Sequence, residues 1–177
     1  VTYKSRKGDV TIDKDEQPLK GNPDKIPTLK PAFAKDGTVT AANSSSISDG
    51  GAALVLMKES EAKRRGLKPS EFTMAPIDAI QKVMDKVGWT KDDVDLFEIN
   101  EAFAVVTMAA MKDLGLDHEK VNIHGGACAL GHPIGASGAR IVVTLLSALQ
   151  KYGKTRGVAS LCIGGGEATA MALEIVN

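Results

Sequence analysis

Ala139-Arg140-Ile141-Val142-Val143-Thr144-Leu145-Leu146-Ser147-Ala148-Leu149-Gln150-Lys151-Tyr152-Gly153 leads, through Lys154-Thr155-Arg156, into Gly157-Val158-Ala159-Ser160-Leu161-Cys162-Ile163. Gly164-Gly165-Gly166 follows, and then Ala168–Val176. The first run is strongly apolar and closes on a glycine, as a helix does. The second is a short apolar run bounded by turn signals, which reads as a buried strand. The triple glycine reads as a turn and Ala168–Val176 as a last strand. A helix, a strand, a turn and a second strand in this order point to α/β architecture with a mixed sheet and helices on its faces.

The segments before it extend the same alternation. Pro76 is suited to the first position of a helix, and Ile77, Ile80, Val83, Met84 and Val87 then share one face up to Gly88. Val94–Ile99 alternates apolar residues with Asp and Glu and predicts a strand with one inward and one outward face. Ala102–Leu114 reads as a helix closed by Gly115, and Gly125 to Gly138 as a glycine-rich loop. Nearer the start, Ala52–Met57 predicts a strand buried on both faces, and Ser60–Arg65 a short charged helix stopped by Gly66. Thr38–Ala42 predicts a short strand, and residues 1–36, dense in turn formers, a loop.

Composition narrows the function classes. In 177 residues, 22 Lys and Arg balance 22 Asp and Glu, without the basic excess of a nucleic-acid binder. Aromatic residues make up 4%, too few for a stacking platform along single strands. No window approaches the ~18 consecutive apolar residues of a membrane helix. The first residues carry no signal-peptide pattern and no initiating Met, and a chain that was cut, trimmed or only partly observed is the expectation. Two cysteines do not make a disulfide framework, and a reduced, cytoplasmic setting is expected.

Three segments combine a reactive side chain with backbone freedom. In Gly131-His132-Pro133-Ile134-Gly135-Ala136-Ser137-Gly138, Pro133 keeps His132 extended just before a helix. There the helix dipole disfavours the imidazolium and suits a neutral base; the alternative is a histidine satisfied by loop backbone. In Ser160-Leu161-Cys162-Ile163-Gly164-Gly165-Gly166, Cys162 ends a strand, where sites of open α/β sheets lie. Glycine amides there can converge on an anion; the alternative is a buried cysteine before a hairpin turn. In Ile99-Asn100-Glu101-Ala102-Phe103-Ala104, Asn100 either caps the following helix or orients a water or an oxyanion. His124, Cys128 and His132, spaced four apart, could line one helix face and bind metal, but Gly125, Gly126, Gly131 and Pro133 break that helix and no fourth ligand is in view. No metal is expected.

Together these segments resemble the thiolase family. Asn100–Ala104 is its NEAFA motif. Gly125-Gly126-Ala127 through Gly131-His132-Pro133-Ile134-Gly135 and Gly138 is its GGA…GHPxGxxG, and Cys162–Gly166 its CxGGG. Asp36-Gly37-Thr38-Val39-Thr40-Ala41-Ala42-Asn43 through Asp49-Gly50 is similar to its DGTVTAGNASGxNDG segment. The similarity spans nearly the whole chain and favours the biosynthetic branch, with the degradative 3-ketoacyl-CoA thiolases next. It implies a reversible Claisen condensation of two acetyl-CoA to acetoacetyl-CoA and CoA by a ping-pong route. His132 would activate a nucleophilic cysteine and, with a water on Asn100, form one oxyanion hole. Cys162 would move the α-proton, and the Gly164 amide would help form a second oxyanion hole. Ser45 and Ala41 match positions near the pantetheine of CoA, and Phe33, Phe72 and Phe103 match walls of its tunnel. CoA thioesters are then substrates and no cofactor is needed; the family implies a homodimer or homotetramer.

The resemblance also implies the C-terminal half of that fold. Residues 1–46 would be the tail of a CoA-binding loop domain, 47–69 the last strand and helix of an N-terminal domain, and 70–177 the C-terminal domain. The nucleophilic cysteine belongs to an N-terminal half, supplied in cis or in trans, and the isolated fragment is expected to be inactive. Cys128 stands where the family carries an aliphatic residue. Gly66–Phe72 is shorter than the family's join there, and Ala42, Ser46 and Ser48 replace its Gly, Gly and Asn. A non-catalytic acyl-CoA-binding remnant would not need His132, Cys162 and Asn100 together. A ketoacyl synthase, with a cysteine and two histidines, does not fit the single motif histidine.

Overall fold

The computed structural model describes residues 1–15, 21–65, 70–74, 77–163 and 168–176. Val1–Ala42 and Asn43–Asn177 form two compact units.

The first unit holds a hairpin of β1 (Thr2–Ser5) and β2 (Gly8–Thr11), antiparallel with Thr2 opposite Thr11 and Ser5 opposite Gly8. Gly8, at φ 115°, supplies the left-handed turn residue. A 3-10 turn, Pro23–Thr28, is capped by Asn22, whose Oδ1 accepts from the Asp24 amide at 3.1 Å. The all-loop reading of residues 1–36 is therefore corrected. The hairpin escapes a search for apolar alternation because both strands are solvent-exposed. What holds them is the backbone ladder and a 2.8 Å contact between the Thr2 and Thr11 hydroxyls. Thr38–Ala42 is not a strand either; Ala41–Asn43 forms a 3-10 turn.

The second unit is built on a four-stranded mixed sheet. Its strands are β3 (Ser70–Met74), β4 (Leu96–Ile99), β5 (Arg156–Cys162) and β6 (Ala168–Ile175), in the order β3-β6-β5-β4. β3 and β5 flank β6 antiparallel, and β4 runs parallel to β5 with Ile99 opposite Ser160. The helices are α1 (Glu59–Arg64), α2 (Ile77–Val87), α3 (Ala104–Leu114), α4 (Ala127–Leu130) and α5 (Ser137–Lys151). The glycine stops at Gly88, Gly115 and Gly153 all sit at positive φ, as expected of helix C-termini. Pro76 and Gly66, read as a helix start and stop, lie outside the described residues.

Two apolar layers sandwich the sheet. Ile80, Val83 and Met84 of α2 and Ala110 of α3 pack with Phe97, Ile99 and Val158 on one face. Ile141, Val142, Leu145, Ala148 and Leu149 of α5 pack with Leu96, Ala159 and Leu173 on the other. β4 consequently has no outward face: all four of its residues are buried, Glu98 among them. The expected alternation is real, but its polar side points at α5 rather than at water. Ala52–Met57 is corrected in the opposite sense. It joins no strand among the described residues, and Val55 and Leu56 are exposed. An apolar run buries only where partners cover it, and here only Leu54 packs, partly buried, against the α5-side cluster.

Candidate functional site

The site lies where β4 and β5 end side by side. Asn100 follows β4 and its amide donates to the Ser160 carbonyl at 2.9 Å, which extends the parallel pairing past Ile99. Cys162 closes β5 on that same edge, half-buried. Carboxyl ends of adjacent parallel strands are where open α/β sheets place ligands.

Asn100 does not cap α3. The N-cap residue is Phe103, which makes no side-chain capping bond. Asn100 is 1% exposed and its amide group is shared between two partners. Its Oδ1 accepts from Arg140 Nη2 at 3.4 Å, and its Nδ2 lies 3.3 Å from His132 Nε2. A guanidinium only donates, so the amide oxygen faces Arg140 and the NH₂ faces the imidazole. His132 Nε2 must then accept. On the ring's other side Nδ1 lies 2.6 Å from Ser137 Oγ, whose hydroxyl donates to the Pro133 carbonyl at 3.0 Å. With Nε2 accepting, Nδ1 carries the proton of the neutral ring and faces the Ser137 hydroxyl. Burial, and then the charge of Arg140, hold the His132 pKa below its ordinary value.

The backbone around His132 is clamped. Its amide donates to the Ser46 carbonyl at 2.7 Å, and Ile47 bridges to it in parallel. Gly131, at φ 91° and ψ 165°, lies under Ser48, where a Cβ would overlap the serine Oγ. A Cβ on Gly50 would sit 2.7 Å from Pro133 Cγ. The 44–50 loop is thus laid directly along Gly131-His132-Pro133. The same loop brings Ser45 against the start of α3: its Oγ donates to the Ala102 carbonyl at 2.9 Å, while Ser44 bridges to Phe103.

A second network braces Asn100 from below. Asn122, at φ 49°, accepts from the Ile99 amide through Oδ1 and donates to the Ile99 carbonyl through Nδ2, each at 2.8 Å. Its Nδ2 also donates to Glu101 Oε1 at 3.2 Å, and Glu101 Oε2 accepts from the Cys128 amide at 3.0 Å. The Cys128 thiol, facing the Glu101 carbonyl at 3.9 Å, is pushed up to about 11 by burial and by the Glu101 charge. It stays protonated near neutrality and is a poor nucleophile.

Behind Asn100 sits Glu98, 2% exposed, with Oε2 3.9 Å from Arg140 Nη1. Burial pushes its carboxyl up to about 7, against the opposing pull of Arg140. A folded-state value above the unfolded one means that the native state holds the proton more tightly. The associated stability is present below about 4.5, the unfolded value, and is lost as pH rises through about 7. Glu98→Gln cannot ionise and escapes this loss. Its stability relative to the parent, measured by urea unfolding at a series of pH values, is expected to rise by about 3 kcal/mol between those limits. A difference independent of pH would contradict the placement of Glu98.

Of the residues singled out from sequence, the structure brings His132 and Asn100 into contact, sets Cys162 on the same sheet edge, and joins Ser45 and Phe103 through the 44–50 loop. Phe72 lies in β3 opposite Leu173. Phe33 and Ala41 belong to the first unit. Gly164 lies outside the described residues. His124, Cys128 and His132 turn to Tyr152, Glu101 and Asn100 respectively, and among the described residues no group of three or more His, Cys, Asp or Glu is arranged to hold a metal ion. Sequence reasoning missed Ser137, Arg140, Glu98 and Asn122. A signal existed for Arg140, a charge at the start of a strongly apolar helical run whose next charge is Lys151 at its far end.

The family model "Thiolase, C-terminal domain" matches residues 53–175, and "Thiolase, N-terminal domain" matches residues 1–60. The chain is 52% identical to the cytosolic acetyl-CoA acetyltransferase of Mus musculus, covering 98% of this chain and 48% of that protein. It is 47% identical to the acetyl-CoA acetyltransferase of Syntrophomonas wolfei, over the same shares. The crystal structure of the Bacillus anthracis acetyl-CoA acetyltransferase superposes with a TM-score of 0.90 at 46% identity, covering 99% of this chain and 48% of that one. Human mitochondrial 3-ketoacyl-CoA thiolase superposes with a TM-score of 0.84 at 35% identity, over the same shares. The chain spans about half the length of the curated relatives it matches. The Mus musculus match runs over 191 positions against the 177 residues here, so that relative carries extra residues within the matched region.

Proposed function

Since this chain belongs to the thiolase family, we propose that it supplies the base, the second cysteine and one oxyanion site of an acetyl-CoA C-acetyltransferase, which reversibly condenses two acetyl-CoA to acetoacetyl-CoA and CoA. The observation that carries the reading is the neutral His132, its Nε2 lone pair held against Asn100 at the sheet edge where Cys162 ends its strand. In this reading residues 1–46 are the tail of the loop domain, 47–69 the end of the N-terminal domain and 70–177 the C-terminal domain.

The chemistry takes two half-reactions. His132 Nε2 accepts the proton of a nucleophilic thiol carried by a segment outside these residues. The thiolate attacks the acetyl-CoA carbonyl, and collapse of the adduct expels CoA, which leaves with the proton from His132. In the second half-reaction the Cys162 thiolate removes an α-proton from a second acetyl-CoA. The carbanion attacks the acetyl-enzyme and displaces the nucleophilic thiolate, which takes the α-proton back from Cys162 so that both cysteines return to their starting states. A water held between the preorganised Asn100 amide and His132 Nε2 donates to the developing oxyanion, and the Gly164 amide serves the other oxyanion. Ser45, Phe103, Phe72, Phe33 and Ala41 are assigned to the pantetheine side. The reading includes no cofactor and no metal, a homodimer or homotetramer, and a cytoplasmic setting, the last supported by the name of the mouse relative. The likeness to the human mitochondrial 3-ketoacyl-CoA thiolase supports a second reading, a preference for longer acyl chains.

Acetoacetyl-CoA cleavage by CoA tests it. The chain alone is expected to show no turnover, because Cys128 is held protonated and Cys162 is assigned to proton transfer. A fusion bearing the N-terminal half of the Bacillus anthracis enzyme ahead of these residues is expected to turn over. Robust cleavage by the chain alone would overturn the assignment. Faster cleavage of a long-chain 3-ketoacyl-CoA by the fusion would favour the second reading.

A further inference from the structure

His132 has two neutral tautomers, and only one leaves Nε2 free to take a proton. Ser137 does not choose between them. Its hydroxyl can accept from Nδ1–H or donate to a bare Nδ1, and the Pro133 carbonyl to which it donates also receives the Ala136 and Ser137 amides, each at 2.8 Å. Asn100 does not choose either, since rotating its amide end for end would present Oδ1 instead of Nδ2 to the ring. The choice rests on a group that can only donate and that faces the other end of that amide. Arg140 Nη2, 3.4 Å from Asn100 Oδ1, is that group.

Arg140 is otherwise poorly satisfied. Its Nε and Nη1 are buried without a hydrogen-bond partner among the described residues, as is Glu98 Oε2, and Nη1 stands 3.9 Å from that oxygen. Buried polar atoms normally find partners, so an arginine held this way calls for an explanation beyond packing. We propose that Arg140 is a positioning residue: by taking Asn100 Oδ1 it aims the amide N–H at His132 and fixes Nε2 as the nitrogen that accepts the proton, with Glu98 holding the guanidinium in place. This rests on the catalytic reading above. Arg140 on α5 is the charged group that acts on the ring, and Glu98 on β4 is in turn acted on by Arg140 and by Glu101 just beyond that strand.

The test separates the positioning from the catalysis. Long-range ¹H–¹⁵N NMR of the imidazole reads the tautomer in the 177-residue chain directly. The parent is expected to show a single Nδ1–H form at neutral pH. Arg140→Lys keeps the charge but loses the planar fork, and is expected to show a mixture. Arg140→Met combined with Glu98→Gln removes both buried ionisable groups, which guards against a variant that fails to fold. It is expected to show the mixture together with a rise in the His132 pKa. In the fusion enzyme both variants should lose about 10²-fold in kcat with little change in KM. Retention of the single Nδ1–H form in both variants overturns the proposal, as does a mixed tautomer with undiminished kcat in a background where His132→Ala is inactive. If His132→Ala is itself fully active, the catalytic reading falls, and the NMR result still decides whether Arg140 sets the tautomer.

Discussion

Cys162→Ser in the fusion enzyme is expected to lose 10²–10⁴-fold in condensation while the nucleophile still takes an acetyl group from acetyl-CoA. Serine keeps the size of the side chain but ionises only at a much higher pH, so it is a poor base near neutrality. Its effect should fall where a proton moves to or from carbon. His132→Ala should slow both half-reactions, because Nε2 takes the thiol proton in the first and holds the oxyanion-stabilising water in the second. Two measurements distinguish them. Mass spectrometry of the acetyl-enzyme reads the first half-reaction, and exchange of the acetyl-CoA α-protons with deuterated water reads the second. Cys162→Ser should accumulate acetyl-enzyme with exchange suppressed, and His132→Ala should accumulate neither. If Cys162→Ser blocks acylation and leaves exchange intact, Cys162 is the nucleophile and the roles are reversed.

Gly131→Ala is the substitution expected to do most damage from outside the reacting groups. At φ 91° and ψ 165° the backbone occupies a region that is essentially glycine's alone, and a side chain there costs about 1–3 kcal/mol. The new methyl would also drive Ser48 off the segment, and with it the loop whose Ser46 carbonyl holds the His132 amide at 2.7 Å. Both stability and turnover should fall. Ser48→Gly removes the clash but not the dihedral strain, so the double variant should recover only part of the loss. A double-mutant cycle on urea unfolding and on kcat measures that share. Wild-type stability in Gly131→Ala would contradict the geometry of the loop.

Much of the second unit was legible because local chemistry and tertiary structure agree there. Ile80, Val83 and Met84 recur at helical spacing and are buried together. Gly88, Gly115 and Gly153 end helices at the positive φ that glycine tolerates. The errors fall where a residue's environment is decided by distant parts of the chain. Glu98 looks outward by alternation, and only α5, far along the sequence, turns that direction into an interior one. Val55 and Leu56 look like core, yet nothing described here covers them. The β1–β2 hairpin holds together without a buried face, so hydrophobic pattern had nothing to report. The site shows the same division. His132, Cys162 and Asn100 were found through motifs that carry their own context. Ser137 and Arg140 were missed although they follow His132 closely, because a serine in a helix's first turn and an arginine on a helix read as ordinary.

The strand order has a consequence for how the sheet is assembled over time. β6 is C-terminal to every other strand of the sheet, yet it lies between β3 and β5, with Ser70 opposite Ile175. Among the described residues β3 pairs only with β6, about a hundred residues further on, a closure that costs about 4 kcal/mol of chain entropy. During synthesis β3 waits as an unpaired edge, and α2 waits with it, its apolar face without the Ala170 and Ala172 it later covers. Folding of this sheet is therefore a late, concerted event with high contact order, slow by the standards of local structure and exposed to aggregation while it is pending.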